Sequence, residues 1–193
     1  MTRLTHRFHR PDRFVVGTVG VPGDRTFFLQ VRQGNNLVTV RCHKDQVSVL
    51  VDHLDRILDE LARLSDGGVV IPPRLDEADD DRPLELPMTE EFTVGTMALS
   101  WDSAADRVQI ELFALGDDQA MVTDPQFLLA HGADDSPDAV DVRLSPTQAR
   151  QFAARARTVL RAGRPVCPFC AQPINPGGHI CPRANGYRRP LFL

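Results

Sequence analysis

The last 29 residues of this chain hold little that could form a hydrophobic core, yet they carry three of its four cysteines, arranged as Cys167-Pro-Phe-Cys170 and His179-Ile-Cys181. A segment this poor in core-forming residues must draw its folding free energy from another source, and a bound metal supplies it in many small domains. Two cysteines separated by two residues form one half of a tetrahedral N/S site, and the His-x-Cys pair forms the other. Pro168, Pro173, Pro176, Gly177 and Gly178 supply the turns between them. The spacing therefore predicts a structural zinc ion held by Cys167, Cys170, His179 and Cys181. Two other readings compete, a redox dithiol at Cys167 and Cys170 and a catalytic metal. No thioredoxin-like strand and helix flank the first, and four protein ligands leave the second no open position.

The amino-terminal stretch MTRLTHRFHRPDRF has no apolar run behind its charges. A cytoplasmic location is the expectation, and there clustered thiols favour a metal over a disulfide. No apolar run approaches the roughly 18 residues of a membrane-spanning helix.

Before the tail, the chain alternates between strand and helix patterns. Arg13 to Gly20 and Thr26 to Gln33 are rich in β-branched and aromatic residues around a GVPGD turn, and Gly34-Asn-Asn36 turns the chain again into Leu37 to Cys42. From Asp45 to Leu64, apolar residues recur at steps of three and four, which predicts a helix. After Gly67 and Gly68 comes VVIPPR, then the acidic run Asp76 to Asp81, read as a solvated linker spanning about 72–87.

The second half resembles the first. Phe14-Val-Val-Gly-Thr18 returns as Phe92-Thr-Val-Gly-Thr96, and Val38-Thr-Val-Arg41 with Gln46 returns as Val140-Asp-Val-Arg143 with Gln148. Arg107 to Leu115 supplies a strand between these, and Ser145-Pro146 opens a second helix that stops at Gly163. The expected fold is α+β: two pseudo-repeated β-β-β-α units, about 13–64 and 92–163, with antiparallel sheet, in a body of residues 1–164. The zinc-binding tail, residues 165–193, is appended as a small knuckle or ribbon. Gly116 to Ala139 is an insertion with a short apolar piece at Phe127 to Ala130, and the glycines of Phe-x-Val-Gly-Thr are candidate bulges. GTVGVPG lacks the spacing and the following helix of a phosphate loop.

Net charge is −4, but from Arg143 to Leu193 there are nine arginines and no Asp or Glu, while all 26 acidic residues lie earlier. The tail sequence PRANGYRRPLFL sets Tyr187 among Arg183, Asn185, Arg188 and Arg189, equipment for phosphate contact and base stacking. The same residues would also suit docking on the protein's own acidic body. His6 and His9 form a possible metal pair that reads more simply as solvated. Cys42-His43 reads as a buried thiol beside a half-exposed imidazole, and Glu90 and Glu91 fall on opposite strand faces. No catalytic constellation stands out.

The strings RPVCPFC through HICPRANGYRR, FVVGTVG and VRLSPTQARQFAARA resemble an actinobacterial family of conserved proteins of unknown function. That resemblance implies a protein encoded in a trio with a phosphatidylinositol-kinase-like and a histidine-phosphatase-like protein, either of which is a candidate partner. It implies no activity. The reading adopted is a non-enzymatic, zinc-containing binding or adaptor protein. The alternatives are a nucleic-acid-binding protein that uses the basic tail, and an enzyme of phosphate or thiol metabolism. A cleft where Arg41 and Arg143 converge with His43 would support the enzyme.

Overall fold

The fold is described from a computed structural model, for residues 4–64, 68–116, 137–164, 166–174 and 177–183. Seven strands and two helices follow one another as β1 (Thr5–Phe8), β2 (Arg13–Val21), β3 (Asp24–Gln33), β4 (Asn36–Cys42), α1 (Lys44–Leu64), β5 (Glu90–Asp102), β6 (Arg107–Ala114), β7 (Ala139–Leu144) and α2 (Pro146–Arg161). They form an α+β body around one sheet in the order β1-β7-β6-β5-β4-β3-β2. Two three-stranded meanders, β2–β4 and β5–β7, are each followed by a helix.

The sheet is mixed, which corrects the antiparallel expectation. β4 and β5 are parallel, as are β1 and β7, while the other four pairings are antiparallel. The reason lies in the connection: α1 and the segment after it carry the chain back along the sheet, so β5 starts at Glu90 beside Thr39, midway along β4, and runs the same way.

Strand β1 was not foreseen. Its histidine- and arginine-rich sequence lacks a strand pattern, but Phe8 is buried in the common core, and β1 pairs with β7 in register Thr5 to Ala139. β1 and β2 are the two edges of the sheet, yet only four residues separate them in sequence. A flat seven-stranded sheet would hold its edges about 29 Å apart, whereas the link from Phe8 to Arg13 reaches at most about 19 Å. The sheet must therefore curl until its edges approach. Two hydrogen bonds hold the link against β3, from Arg10 N to Gln33 Oε1 at 3.1 Å and from Asp12 N to Arg32 O at 2.8 Å.

Both helices lie against one face of this sheet. α1 buries Val47, Leu50, Val51, Leu54 and Leu58, each worth about 1.5–3 kcal/mol on removal from water. α2 contributes Ala149, Phe152, Ala153 and Ala156, and Phe152 stacks on Phe14 with ring centroids 4.6 Å apart. Ser145 caps α2 in a capping box with Gln148, and Pro146 occupies the first turn. At the start of α1, Gln46 Oε1 likewise accepts from the His43 N–H at 2.8 Å.

The acidic run Asp76 to Asp81 is a strap. Leaving α1, residues 71–82 cross the helices, with Arg150 donating to the Pro72 carbonyl and Arg157 to that of Leu75. The strap then rounds the edge strand β2, where Asp80 meets the buried Arg13 at 2.5 Å and Arg155 donates to the carbonyls of Asp80, Arg82 and Val16. It ends over the other face of the sheet, with Gln30 bridging to Glu85 through both its amide atoms.

The two Phe-x-Val-Gly-Thr glycines have different reasons. At Gly17, in regular pairing with Phe28, a Cβ would come within 2.6 Å of the Leu84 side chain of the strap. Gly95 does lie at a bulge, where the backbone of Leu115 passes over it.

Candidate metal centre

Past the end of α2, residues 166–174 and 177–183 form a ribbon in which a bridge joins Val166 to Pro173. The Cys167 N–H donates to the Gln172 carbonyl and the Ala171 N–H to the Cys167 carbonyl, both at 2.8 Å, closing a tight knuckle. Ala171 takes a left-handed φ of 60°, and Gly178 one of 84° where the second ligand pair begins. Only glycine adopts this conformation without cost, so Gly178 suits its place while Ala171 carries strain.

The ligand atoms of Cys167, Cys170, His179 and Cys181 all lie within 4.8 Å of one another. Among the described residues this is the one group of three or more His, Cys, Asp or Glu side chains gathered closely enough to hold a metal ion. Cys167 Sγ stands 3.7 Å from Cys181 Sγ, and Cys170 Sγ stands 3.3 Å from His179 Nε2. Ligands of a tetrahedral zinc ion, at about 2.3 Å for sulfur and 2.0–2.1 Å for nitrogen, stand about 3.5–3.8 Å apart. The observed edges are close to those of such a tetrahedron. Cys167 and Cys181 are buried, while Cys170 and His179 are half-buried.

The backbone prepares the thiols for a cation. Burial pushes the Cys167 thiol up, but the N–H groups of Cys170 and Phe169 together with the thiols of Cys170 and Cys181 hold it below the ordinary thiol range. For Cys170, the Gln172 N–H pulls the thiol down, while burial and the neighbouring Cys167 and Cys181 push it above that range. Thiolates this close repel one another, and a divalent cation among them removes the penalty.

The other residues singled out in the sequence fall elsewhere. Arg41 is exposed on β4, Arg143 lies on β7 against Asp102 at 3.4 Å, and β5 and β6 stand between them. The structure does not bring them together with His43, which is exposed beyond β4. Arg183 braces the ribbon, its Nη1 donating to the Phe169 carbonyl at 3.1 Å. Asn185, Tyr187, Arg188 and Arg189 lie outside the described residues, as does the apolar piece Phe127 to Ala130. Cys42 is buried and its thiol pushed up to about 12 by that burial, which leaves it unionised and unreactive at neutral pH. Glu90 and Glu91 are both exposed.

Sequence reasoning missed what the α2 arginines do. Arg150 is 1% exposed and bonds Asp55, Asp59 and the Pro72 carbonyl; Arg157 bonds Asp55, and Arg155 lies 3.7 Å from Asp80. With Arg143 on Asp102, Arg143, Arg150, Arg155 and Arg157 all face carboxylates of the preceding chain. Only the alternation of arginine with inward-facing alanine and phenylalanine in QARQFAARAR hinted that these charges point into the body.

An α+β body with a curled mixed sheet and a C-terminal Cys3His centre defines the class of protein. The chain belongs to the family described as "Protein of unknown function (DUF3090)", whose pattern it matches over residues 6–181, a span that ends on the last ligand. No curated protein and no solved structure matches the chain. Among the described residues, no helix is long and apolar enough to cross a membrane.

Proposed function

We propose that this is a non-enzymatic binding or adaptor protein in which one zinc ion, held by Cys167, Cys170, His179 and Cys181, organises the C-terminal ribbon. The observation that carries this is the closed ligand set: four N and S atoms within 4.8 Å of one another, with backbone N–H groups aimed at the sulfurs. Thiolate and imidazole ligands at tetrahedral spacing favour zinc over calcium or magnesium, which take oxygen ligands. Four protein ligands leave no place for a substrate, so the metal's role is structural.

A small cavity of about 150 Å³ between β2, α2 and the strap supports the non-enzymatic reading. Of its charged lining residues, Arg13, Arg155 and Asp80 are bonded to one another or to backbone carbonyls and Asp12 accepts from the Gly34 N–H, which leaves little to activate a ligand.

We also read the two β-β-β-α halves as copies of one unit. Gln46 and Gln148 support this, since each accepts from the residue that opens its own helix and donates its Nε2 to a backbone carbonyl far away in the chain. Gln46 reaches the Val94 and Gly95 carbonyls at 3.0 and 2.9 Å, and Gln148 the Pro11 carbonyl at 2.8 Å.

Metal analysis of the purified full chain tests the central claim. The expected result is close to one zinc per chain, lost in Cys181→Ser and retained in Cys42→Ala. Iron in place of zinc, visible as thiolate charge-transfer absorption, would refute the assignment, as would a chain that binds no metal.

A further inference from the structure

The ribbon presents large apolar side chains to solvent, which is unusual in so small a unit. Val166 is 65% exposed, Phe169 61% and Ile180 84%. Each sits next to a metal ligand: Val166 precedes Cys167, Phe169 precedes Cys170, and Ile180 lies between His179 and Cys181. Because the Cys170 and His179 ligand atoms are 3.3 Å apart, the centre that fixes one of these side chains fixes the others.

Charge decides what such a surface accepts. The chain from Val142 to its end contains no carboxylate side chain, and Arg183 is tied to the Phe169 carbonyl while its guanidinium remains exposed. A cation is thus held at the backbone of the residue that carries the exposed ring, and Arg188 and Arg189 follow closely in the sequence. An acidic protein segment would satisfy the arginines, but it gives an exposed phenylalanine no specific complement. An unpaired base offers a flat face for the ring and a phosphate for the neighbouring arginine.

We propose that the metal ribbon binds single-stranded nucleic acid, with Phe169 and Ile180 as the platform for unstacked bases and Arg183 as a phosphate contact. This rests on the reading of the ribbon as metal-organised and gives that ribbon a partner.

The test uses the metal-loaded full chain and a fluorescein-labelled, unstructured pyrimidine oligonucleotide, followed by anisotropy. With Arg183 on a phosphate, affinity should fall by about 2- to 3-fold between about 50 and 200 mM salt. Phe169→Ala should weaken binding about tenfold or more. Ile180→Ala should weaken it less, and Leu86→Ala, at an exposed apolar site on the strap, should leave it unchanged. A duplex of the same sequence should bind more weakly, because its bases are already stacked. Each variant is assayed for metal first, which separates loss of the centre from loss of the platform. A chain without metal refutes the metal reading. A fully loaded chain that does not bind the oligonucleotide, binds duplex equally well, or ignores Phe169→Ala refutes the nucleic-acid assignment alone and turns the search to a protein partner.

Discussion

Arg150 Nη1 donates to Asp55 Oδ1 at 2.7 Å across 95 residues of chain, and both side chains are buried. This pair joins α2 to α1, and the remaining Arg150 donors extend it to Asp59 and to the strap at Pro72. Removing one partner of a buried ion pair leaves the other uncompensated, at about 3–5 kcal/mol. Asp55→Ala, which removes a carboxylate from both Arg150 and Arg157 but leaves Arg150 on Asp59 and the Pro72 carbonyl, should lower stability in urea by up to that amount. A loss below about 1 kcal/mol, the level of an exposed pair, would mean that water reaches the network.

Acid should loosen the strap. The hydrogen bond from Arg13 holds the Asp80 carboxyl well below the usual carboxylate range. A folded-state pKa below the unfolded value of about 3.9 contributes stability that is present above that value and is lost as pH falls toward the folded pKa. The stability gap between the natural chain and Asp80→Asn should therefore be wide at neutral pH and narrow below about pH 4. A gap that stays constant with pH would contradict this account of Asp80.

Gly17 and Gly34 should respond differently to alanine. At Gly17 the new Cβ meets Leu84 at 2.6 Å, so the strap must shift, at about 1–3 kcal/mol. At Gly34 nothing lies within 4 Å, but φ is +59°, so the cost is backbone strain alone, about 1–2 kcal/mol. Hydrogen exchange separates the two cases: Gly17→Ala should raise exchange around Glu85, whereas Gly34→Ala should not.

Cysteine labelling should divide the four thiols into two groups. With metal chelated, Cys167, Cys170 and Cys181 should react with iodoacetamide at about pH 8, while Cys42, pushed up to about 12, should react only on unfolding. Labelling of Cys42 in the folded chain at a rate like the others would show that its surroundings open readily.

Chelation should also separate ribbon from body. The α1–α2 core contains none of the four ligands, so far-UV circular dichroism should change little when metal is withdrawn, while proteolysis between Arg164 and Arg183 should speed up. Global unfolding on chelation would show that the ribbon supports the body.

Some of this architecture was legible in the residues. The apolar spacing from Asp45 to Leu64 marked α1 almost to its ends, and Ser145-Pro146 marked the start of α2, because both signals are local. The strands β2, β3 and β4 were legible for the same reason. β1 was not, since Thr5 to Phe8 becomes a strand only because β7 offers it an edge.

The sequence by itself determined the helices, the first meander and the Cys3His cluster that could hold a metal, since each depends on residues close together in the chain. Only the tertiary structure decided the rest. Parallel pairing of β4 with β5, the curl that brings β1 toward β2, and the conversion of an acidic run into a strap all depend on partners far away in the chain. The same holds for charge: an arginine such as Arg150 is basic surface in the sequence and buried neutralised core in the fold, because Asp55 and Asp59 are waiting on α1.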